Sequence, residues 1–413
     1  MLLVFGRVAE HLGKARLFVI GFSIFTVSSL ACGLSDGLLM LVLFRVIQAI
    51  GAAMVFSISW AIIFAISPPG EQGKAMGYLG STVAVGSIAG PVLGGLLVDT
   101  LGWEYIFLIN VPIGLVLLPL AVRHLRLDET LCRCLEMDWP GAIGLVVSMV
   151  SLILFLGEVS ADPGSTPVLI GFGAVFAIAI SAFFVHESRT SRPLLDLSIF
   201  REPAFAYPVT AMMLFFVAIF MVNIVGPFYF EGVMALQPSQ VGLVFLISPA
   251  IMVVASPVMG SLYDRYRFRH SAAIGMIVVS LALAGAAFAA RAMDLLLSIA
   301  VFVPMALGSA LFQAPNNTEI MRALPPRMAG TASSVTATVR NLGMALGVSF
   351  AGILVSFQLA GAGYHGPILD ADRVLLAGTV STVLVAASIG CALAAAVSLM
   401  RQQSRAKVEM DGR

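Results

Sequence analysis

The chain has 413 residues, of which 59% are hydrophobic and 11% charged, with a net charge of +1 and a mean hydropathy of +1.01. A soluble globular domain carries roughly 25% charged residues, so the composition excludes one and places the chain in a lipid bilayer. The near-neutral balance gives no reason to expect a nucleic-acid partner.

A bilayer-spanning helix needs about 20 mostly apolar residues. Twelve such runs are predicted, over 17–34, 38–66, 76–98, 105–122, 140–157, 167–185, 204–230, 240–262, 271–290, 294–316, 330–357 and 374–400. Met1–Phe5 is too short for the apolar region of a cleavable signal peptide. With the N-terminus inside, alternation puts 19 of the 23 Lys and Arg residues on inside segments. Arg291 and Arg373 then lie outside, and Arg45 and Arg340 within spans. Such a bias fixes orientation by the positive-inside rule and supports the span count. Cys32 and Cys391 sit in apolar runs; Cys132 and Cys134 form a C-x-C without a second ligand pair, so no metal site is expected.

The first inside segment reads Gly6-Arg-Val-Ala-Glu10-His-Leu-Gly-Lys14-Ala-Arg16, and a later one reads Gly260-Ser-Leu-Tyr-Asp264-Arg265-Tyr-Arg-Phe-Arg269. Gly6 and Gly260 are 254 residues apart, as are Glu10 and Asp264, which implies two halves built alike. Eight predicted spans separate the copies and four follow the second. Two halves of six spans, each with the motif after its second span, plus two extra spans between them, make fourteen. The first span and nearly all of the second are therefore expected to be missing; an ordinary twelve-span chain is the rival reading. The expected layout is an incomplete N-terminal bundle of about four spans (1–122), a linker with two extra spans (123–203), a C-terminal bundle of about six (204–400) and a tail (401–413). Glu10 and Asp264 either latch one half to the other, with Lys14, Arg16, Arg265 and Arg269 taking part, or are solvated loop charges of small energy.

Within the spans, Arg45 is costly: a charge at a helix centre costs about 2.5–3.5 kcal/mol on insertion scales, so it does not face lipid. Gln48, three residues on, shares its face. Gly86, Gly90 and Gly94 recur every four residues, with Pro91 and Gly95 beside them. At that spacing small residues form a face for close helix approach. Asn223 precedes Pro227, so it either faces a cavity beside a local unwinding or makes an interhelical hydrogen bond. Arg340 lies mid-run beside Ser333, Ser334, Thr336 and Thr338 and either lines a cavity or ties a helix end. Gln313, Asn316 and Asn317 fall near the end of the tenth run. Phe216, Phe220, Phe228, Tyr229 and Phe312 pave a hydrophobic site or serve as packing. No Asp or Glu lies near the middle of any span; Glu158, Glu231 and Glu319 sit at ends. No G-x-x-x-x-G-K-[ST] run is present, so nothing points to ATP.

These features together resemble the fourteen-span drug:proton antiporter branch of the major facilitator superfamily. The likeness runs from Gly6 to about Val355. It rests on the Gly6–Arg16 loop, on Arg45-Val-Ile-Gln48-Ala-Ile-Gly51-Ala-Ala53 and on Gly86–Gly95 followed by Gly102-Trp103-Glu104 and Asn110-Val-Pro112. It rests also on Ala314-Pro315-Asn316-Asn317 with Arg340-Asn341-Leu-Gly343, and on Asp138-Trp139-Pro140-Gly141 at the entrance of the extra span pair. Glu10 stands where the family more often has aspartate, and Ala49 where it has glycine. The resemblance implies an all-α polytopic membrane protein of two pseudo-symmetric helix bundles around a central cavity, working by alternating access. It implies outward movement of lipophilic or cationic drugs, driven by a proton gradient and with no cofactor. Arg45, Gln48 and Arg340 would serve proton coupling and the cavity; Gly86–Gly95 would be the antiporter motif; Asn223, Phe220, Gln313 and Asn316 would line the substrate site. Its partners would be the bilayer, a small lipophilic substrate and protons. The chain would be a monomer in the cell membrane, with the Gly6–Arg16 loop and the C-terminus cytoplasmic. Export of a specific metabolite and a truncated, non-transporting paralogue are the other readings; an enzyme is not expected, for want of a metal cluster or nucleophile elbow.

Overall fold

The computed structural model is all-helical, as the sequence requires. In a bilayer only a helix or a closed barrel satisfies every backbone polar group. It describes residues 1–125, 138–161, 166–190, 193–266, 268, 270–364 and 366–411, with backbone alone at 91, 92, 160, 161, 166 and 401–411. Cys132, Cys134 and Arg269 lie outside the described residues, and the Pro91 side chain lies outside the described side chains. No group of three or more His, Cys, Asp or Glu that could hold a metal occurs among the described residues.

Among the described residues, fifteen α-helices follow in order: α1 (Leu2–Leu12), α2 (Lys14–Gly33), α3 (Leu38–Ile66), α4 (Gln72–Thr100), α5 (Tyr105–Leu108), α6 (Asn110–His124), α7 (Trp139–Ala161) and α8 (Thr166–Arg189). The remainder are α9 (Pro203–Phe228), α10 (Pro238–Tyr266), α11 (Ser271–Ala292), α12 (Leu295–Ala300), α13 (Phe302–Ala323), α14 (Ala329–Gly361) and α15 (Arg373–Asp411). Twelve helical stretches among the described residues are long and apolar enough to cross a membrane, and each coincides with a predicted run. The third predicted run opens into Gln72–Thr100 and the eleventh into Pro326–Gly361, because polar ends carry the helices beyond the apolar windows. Gly13 breaks α1 from α2 with φ 90°, a conformation glycine adopts without steric cost. Asp294 and Asp372 cap α12 and α15 by accepting from Leu297 and Val374 amides.

The repeat seen in the two loops extends through the packing. A β-carbon built on Gly51 of α3 would lie 2.7 Å from the Gly21 carbonyl oxygen of α2. Its counterpart on Gly308 of α13 would lie 2.7 Å from that of Gly275 on α11. Gly21 and Gly275 are again 254 residues apart. Both crossings therefore bring backbones together where only glycine fits. Between the two repeats, α7 and α8 pair as a hairpin whose first helix leans on α14. The largest apolar core joins α9, α11, α13, α14 and α15, with Phe205, Phe215 and Phe312 fully buried.

Candidate functional site

A cavity of 260 Å3 lies between α4 on one side and α9, α10, α13 and α14 on the other. Its walls are mainly aromatic and thioether: Phe215, Phe216, Phe220, Phe245, Phe302, Met252 and Met305. Asn223, Gln313, Ser87, Ser248, Ser309 and Arg340 supply its polar groups. Arg340 is the charged member of that lining, and its guanidinium sits over the Phe216 ring, 4.9 Å from the centroid. A cation over a ring face gains electrostatic attraction, more so when desolvated. Asn223, Phe220, Gln313 and Arg340 all lie on the wall of this cavity. Asn223 spends its amide N–H on its own helix, donating to the Ile219 carbonyl at 2.9 Å. The irregular turn expected near Pro227 falls just after it, as a π-helical turn over Tyr229–Val233.

Three expected site residues do other work. Asn316 is 1% exposed and donates to the Pro208 carbonyl at 3.0 Å, so it ties α13 to α9 and stays out of the cavity. Phe312 packs on Phe215 inside the core, 4.8 Å between centroids. Tyr229 hydrogen-bonds Ser298 Oγ at 3.0 Å and faces α11 and α12. Helix rotation explains the split around Gln313. Asn316 lies three residues on and is turned toward α9, while Gln313 faces the opening.

Arg45 and Gln48 are placed together but away from Arg340's cavity. Arg45 donates to Gln48 Oε1 at 3.0 Å, and Gln48 donates onward to Ser29 Oγ at 2.6 Å. The guanidinium also lies 5.2 Å from the Phe107 ring centroid. This face of α3 is turned toward α2 and α5; Gln48 is buried there and Arg45 is exposed, so the pair makes a polar relay beside these helices and does not line the cavity.

The two loop carboxylates bind helix ends across the repeat. Glu10, at the end of α1, accepts from the Thr331 amide (3.2 Å) and hydroxyl (2.6 Å) at the start of α14. Asp264, at the end of α10, accepts from the Gly73 and Lys74 amides at 3.0 and 2.8 Å, at the start of α4. Each carboxylate thus satisfies orphan donors and meets the positive end of a helix dipole. Beside them, a β-carbon on Gly73 would lie 2.8 Å from the Gly260 carbonyl oxygen, and one on Gly330 the same 2.8 Å from that of Gly6. Two basic partners come from outside the expected set. Arg7, one turn before Glu10, pairs with it at 3.0 Å, and Arg322 approaches Asp264 at 3.8 Å while donating to Gln72 at 2.7 Å. Arg16 is exposed on α2, beyond the break at Gly13. Arg265 follows Asp264 directly and so points about 100° away round the helix; it stacks on Tyr266, 5.4 Å from the ring centroid. Lys14 opens α2 beyond the same break.

The glycines of α4 report how far this closure reaches. Gly73, Gly77 and Gly80 press against Gly260, Ser256 and Pro257 of α10, leaving no room for a β-carbon. Among the described residues, a β-carbon built on Gly86, Gly90, Gly94 or Gly95 would meet no neighbouring atom within 4 Å. The expected glycine-rich face is therefore unpacked in this structure, and the occupied one lies about two to four turns earlier. The helices touch at the end carrying Asp264 and separate toward Thr100, with the cavity between.

The profile described as Major Facilitator Superfamily matches residues 1–132 and 135–348. Riboflavin transporter RibZ of Clostridioides difficile is 32% identical over 352 residues, 84% of this chain and 75% of its own length. Multidrug resistance protein 3 of Bacillus subtilis is 28% identical over 409 residues, 92% of this chain and 77% of its own. Among solved structures, the human organic anion transporter MFSD10 superposes with a TM-score of 0.62 at 15% identity, covering 94% of this chain and 80% of its own. The proton:xylose symporter XylE gives 0.58 at 14%, covering 94% and 82%. These last two share the fold. The profile match, the twelve apolar helices and the paired closure across an internal repeat agree: the chain is a multi-pass membrane protein that belongs to the major facilitator superfamily.

Proposed function

We propose that the chain is a secondary active transporter of the fourteen-span drug:proton antiporter branch, exporting lipophilic small molecules by alternating access at the cost of a proton gradient. One observation carries the reading: the aromatic cavity around Arg340 lies between helices that are sealed at one end and apart at the other. A transporter caught with one gate shut has this shape. The α7–α8 hairpin between the repeats supplies the two extra spans of the branch. The multidrug resistance relative supports drugs as cargo. The ring faces of Phe216 and Phe220 suit flat apolar compounds by stacking. A cationic drug, included in the expectation from sequence, would bind on those faces at a distance from Arg340, since two cations repel in a low-dielectric site.

In this reading Glu10 and Asp264 latch the cytoplasmic side, and the Arg45–Gln48–Ser29 relay tunes the first repeat. Export of one metabolite is the second reading, favoured by the riboflavin transporter relative. Dye efflux from energised inverted vesicles tests the proposal, with an uncoupler and Arg340→Ala as arms. Export that stops with the uncoupler and falls at least tenfold in the variant supports it. Folded, inserted protein that moves neither dyes nor flavins overturns it.

A further inference from the structure

Away from the cavity, the open end of the α7–α8 hairpin holds two buried carboxyl groups side by side. Asp138 precedes α7 and Glu187 lies in the last turn of α8; their exposures are 8% and 4%. Each has one oxygen with a clear partner. Asp138 Oδ1 accepts from the Gly141 amide at 3.0 Å and from His186 Nε2 at 2.7 Å. Glu187 Oε1 accepts from the Leu195 amide. The other two oxygens, Asp138 Oδ2 and Glu187 Oε2, are buried and meet no donor among the described residues. Both crowd the same spot beside Gly141. A β-carbon there would lie 2.9 Å from Glu187 Oε2 and would clash with Asp138 Oδ2. The two carboxyl groups are within hydrogen-bonding reach of one another.

Two facing acceptors with no donor between them cannot both stay ionised. An unpaired buried charge costs several kcal/mol, and a like charge beside it adds to that cost. A single proton removes both penalties and turns two orphan acceptors into one hydrogen bond. We propose that Asp138 and Glu187 form a proton-binding site in which the proton rides on Glu187 Oε2 and is donated to Asp138 Oδ2.

The neighbours fix which group holds it. Burial works against the Asp138 carboxylate, but the Gly141 amide and His186 outweigh burial and hold its carboxyl below the ordinary range. Glu187 has the Leu195 amide and a weaker attraction from His186. Thr190 Oγ, 3.2 Å from His186 Nε2, completes the local set. From the other elements, Arg7 of α1 acts on Asp196, and α14, which leans on α7, carries no charge besides Arg340 in the cavity. No Lys or Arg among the described residues compensates a second negative charge. His186, 37% exposed, gives the site a contact with water.

The bound proton has a structural consequence. Glu187 holds the Leu195 amide, and Leu194 and Leu195 are anchored in the main core just before α9. Loss of the proton puts two anions at the hairpin's end and loosens that anchor. The site is a pH-dependent clasp between the hairpin and the second repeat, and it stands whether or not the cavity exports drugs.

Infrared difference spectra and thermal unfolding of the purified, lipid-reconstituted full chain test this. The wild type is compared with Glu187→Gln and Asp138→Asn from mildly acidic to alkaline pH. The Gln amide can replace the protonated carboxyl, donating to Asp138 Oδ2 while its oxygen keeps the Leu195 amide. Glu187→Gln is therefore expected to lose one protonated-carboxyl C=O stretch present at mildly acidic pH. It keeps the wild-type Tm at that pH and escapes the fall in Tm that the wild type shows as the pH rises. Asp138→Asn supplies a donor of its own, so Glu187 ionises and the same band disappears. A carboxyl band at mildly acidic pH that is unchanged in either folded variant overturns the proposal. So does a wild-type Tm with the same fall on raising the pH as Glu187→Gln.

Discussion

Removing the Asp264 carboxylate should open the closed end of the protein. Asp264→Ala deletes the acceptor of two amide hydrogen bonds, 3.0 Å to Gly73 and 2.8 Å to Lys74. Its side chain is only 7% exposed, so screening by water is weak. A hydrogen bond to a charged group contributes about 1.5–3 kcal/mol net. The two share one carboxylate, and the freed amides find water once the end opens, so the loss is set at about 3 kcal/mol. If the contact exists only in this state, that amount moves the closed-to-open ratio by roughly 100-fold. Ser256 offers a reporter. It is fully buried where α10 presses on Gly77 and Gly80. With all four native cysteines replaced by serine, a Ser256→Cys reporter is alkylated slowly in the parent and at least tenfold faster with Asp264→Ala. Equal rates in the two backgrounds, both correctly inserted, would refute the assignment of Asp264 as a latch.

Other substitutions separate packing from function. Gly77→Ala forces a clash with the Ser256 carbonyl and should unseat the same interface, whereas Gly86→Ala meets no atom and should leave Tm unchanged in this state; thermal unfolding in detergent compares them. Glu10→Ala removes the acceptor of the Thr331 amide and hydroxyl, so it should mirror Asp264→Ala in a thiol-accessibility assay at the α1–α14 contact. Asn316→Ala loses the bond to the Pro208 carbonyl and should cost about 1 kcal/mol of stability while leaving substrate KM in vesicle uptake unchanged, because the residue is outside the cavity. Arg340→Lys keeps the charge but not the planar guanidinium over Phe216, so substrate affinity should fall less than in Arg340→Ala; ligand titration of purified protein measures both.

The spans were legible because the bilayer imposes one requirement, about 20 apolar residues with internally satisfied backbone, and composition reports it directly. The loop repeat was legible for a related reason: Glu10 and Asp264 do the same task in two copies, so the same residue types recur at one spacing. Which atoms they hold was not. Thr331, Gly73 and Lys74 contribute backbone amides, and an amide leaves no mark in a sequence. Arg7 does leave one, since it lies three residues before Glu10 on one helical face. Gly73-Gly77 and Gly86-Gly90-Gly94 both show four-residue spacing, and local sequence cannot say which face is occupied. That depends on how far α4 and α10 close. Asn316 and Gln313 differ in role through helix rotation against α9, a tertiary fact. Asp138 and Glu187 are 49 residues apart, and each alone reads as an ordinary polar helix end.

The paired glycine contacts explain why such a chain can change state without losing its fold. Within each repeat, Gly21 with Gly51 and Gly275 with Gly308 bring backbones into contact at a crossing that nothing longer could fit. These pairs make each repeat stiff. Between the repeats, Gly6 with Gly330 and Gly260 with Gly73 also touch, but each pair sits at a helix end beside a single carboxylate. Water can replace the hydrogen bonds to Glu10 and Asp264 when those ends part. In the proposed cycle these ends part as one repeat rocks on the other. Gly86, Gly90 and Gly94 leave open space on α4 for a closing helix. In the proposed cycle that face gains its partners when the Asp264 end opens, so a bulky residue at Gly90 should lock the transporter in the present form while leaving that form stable.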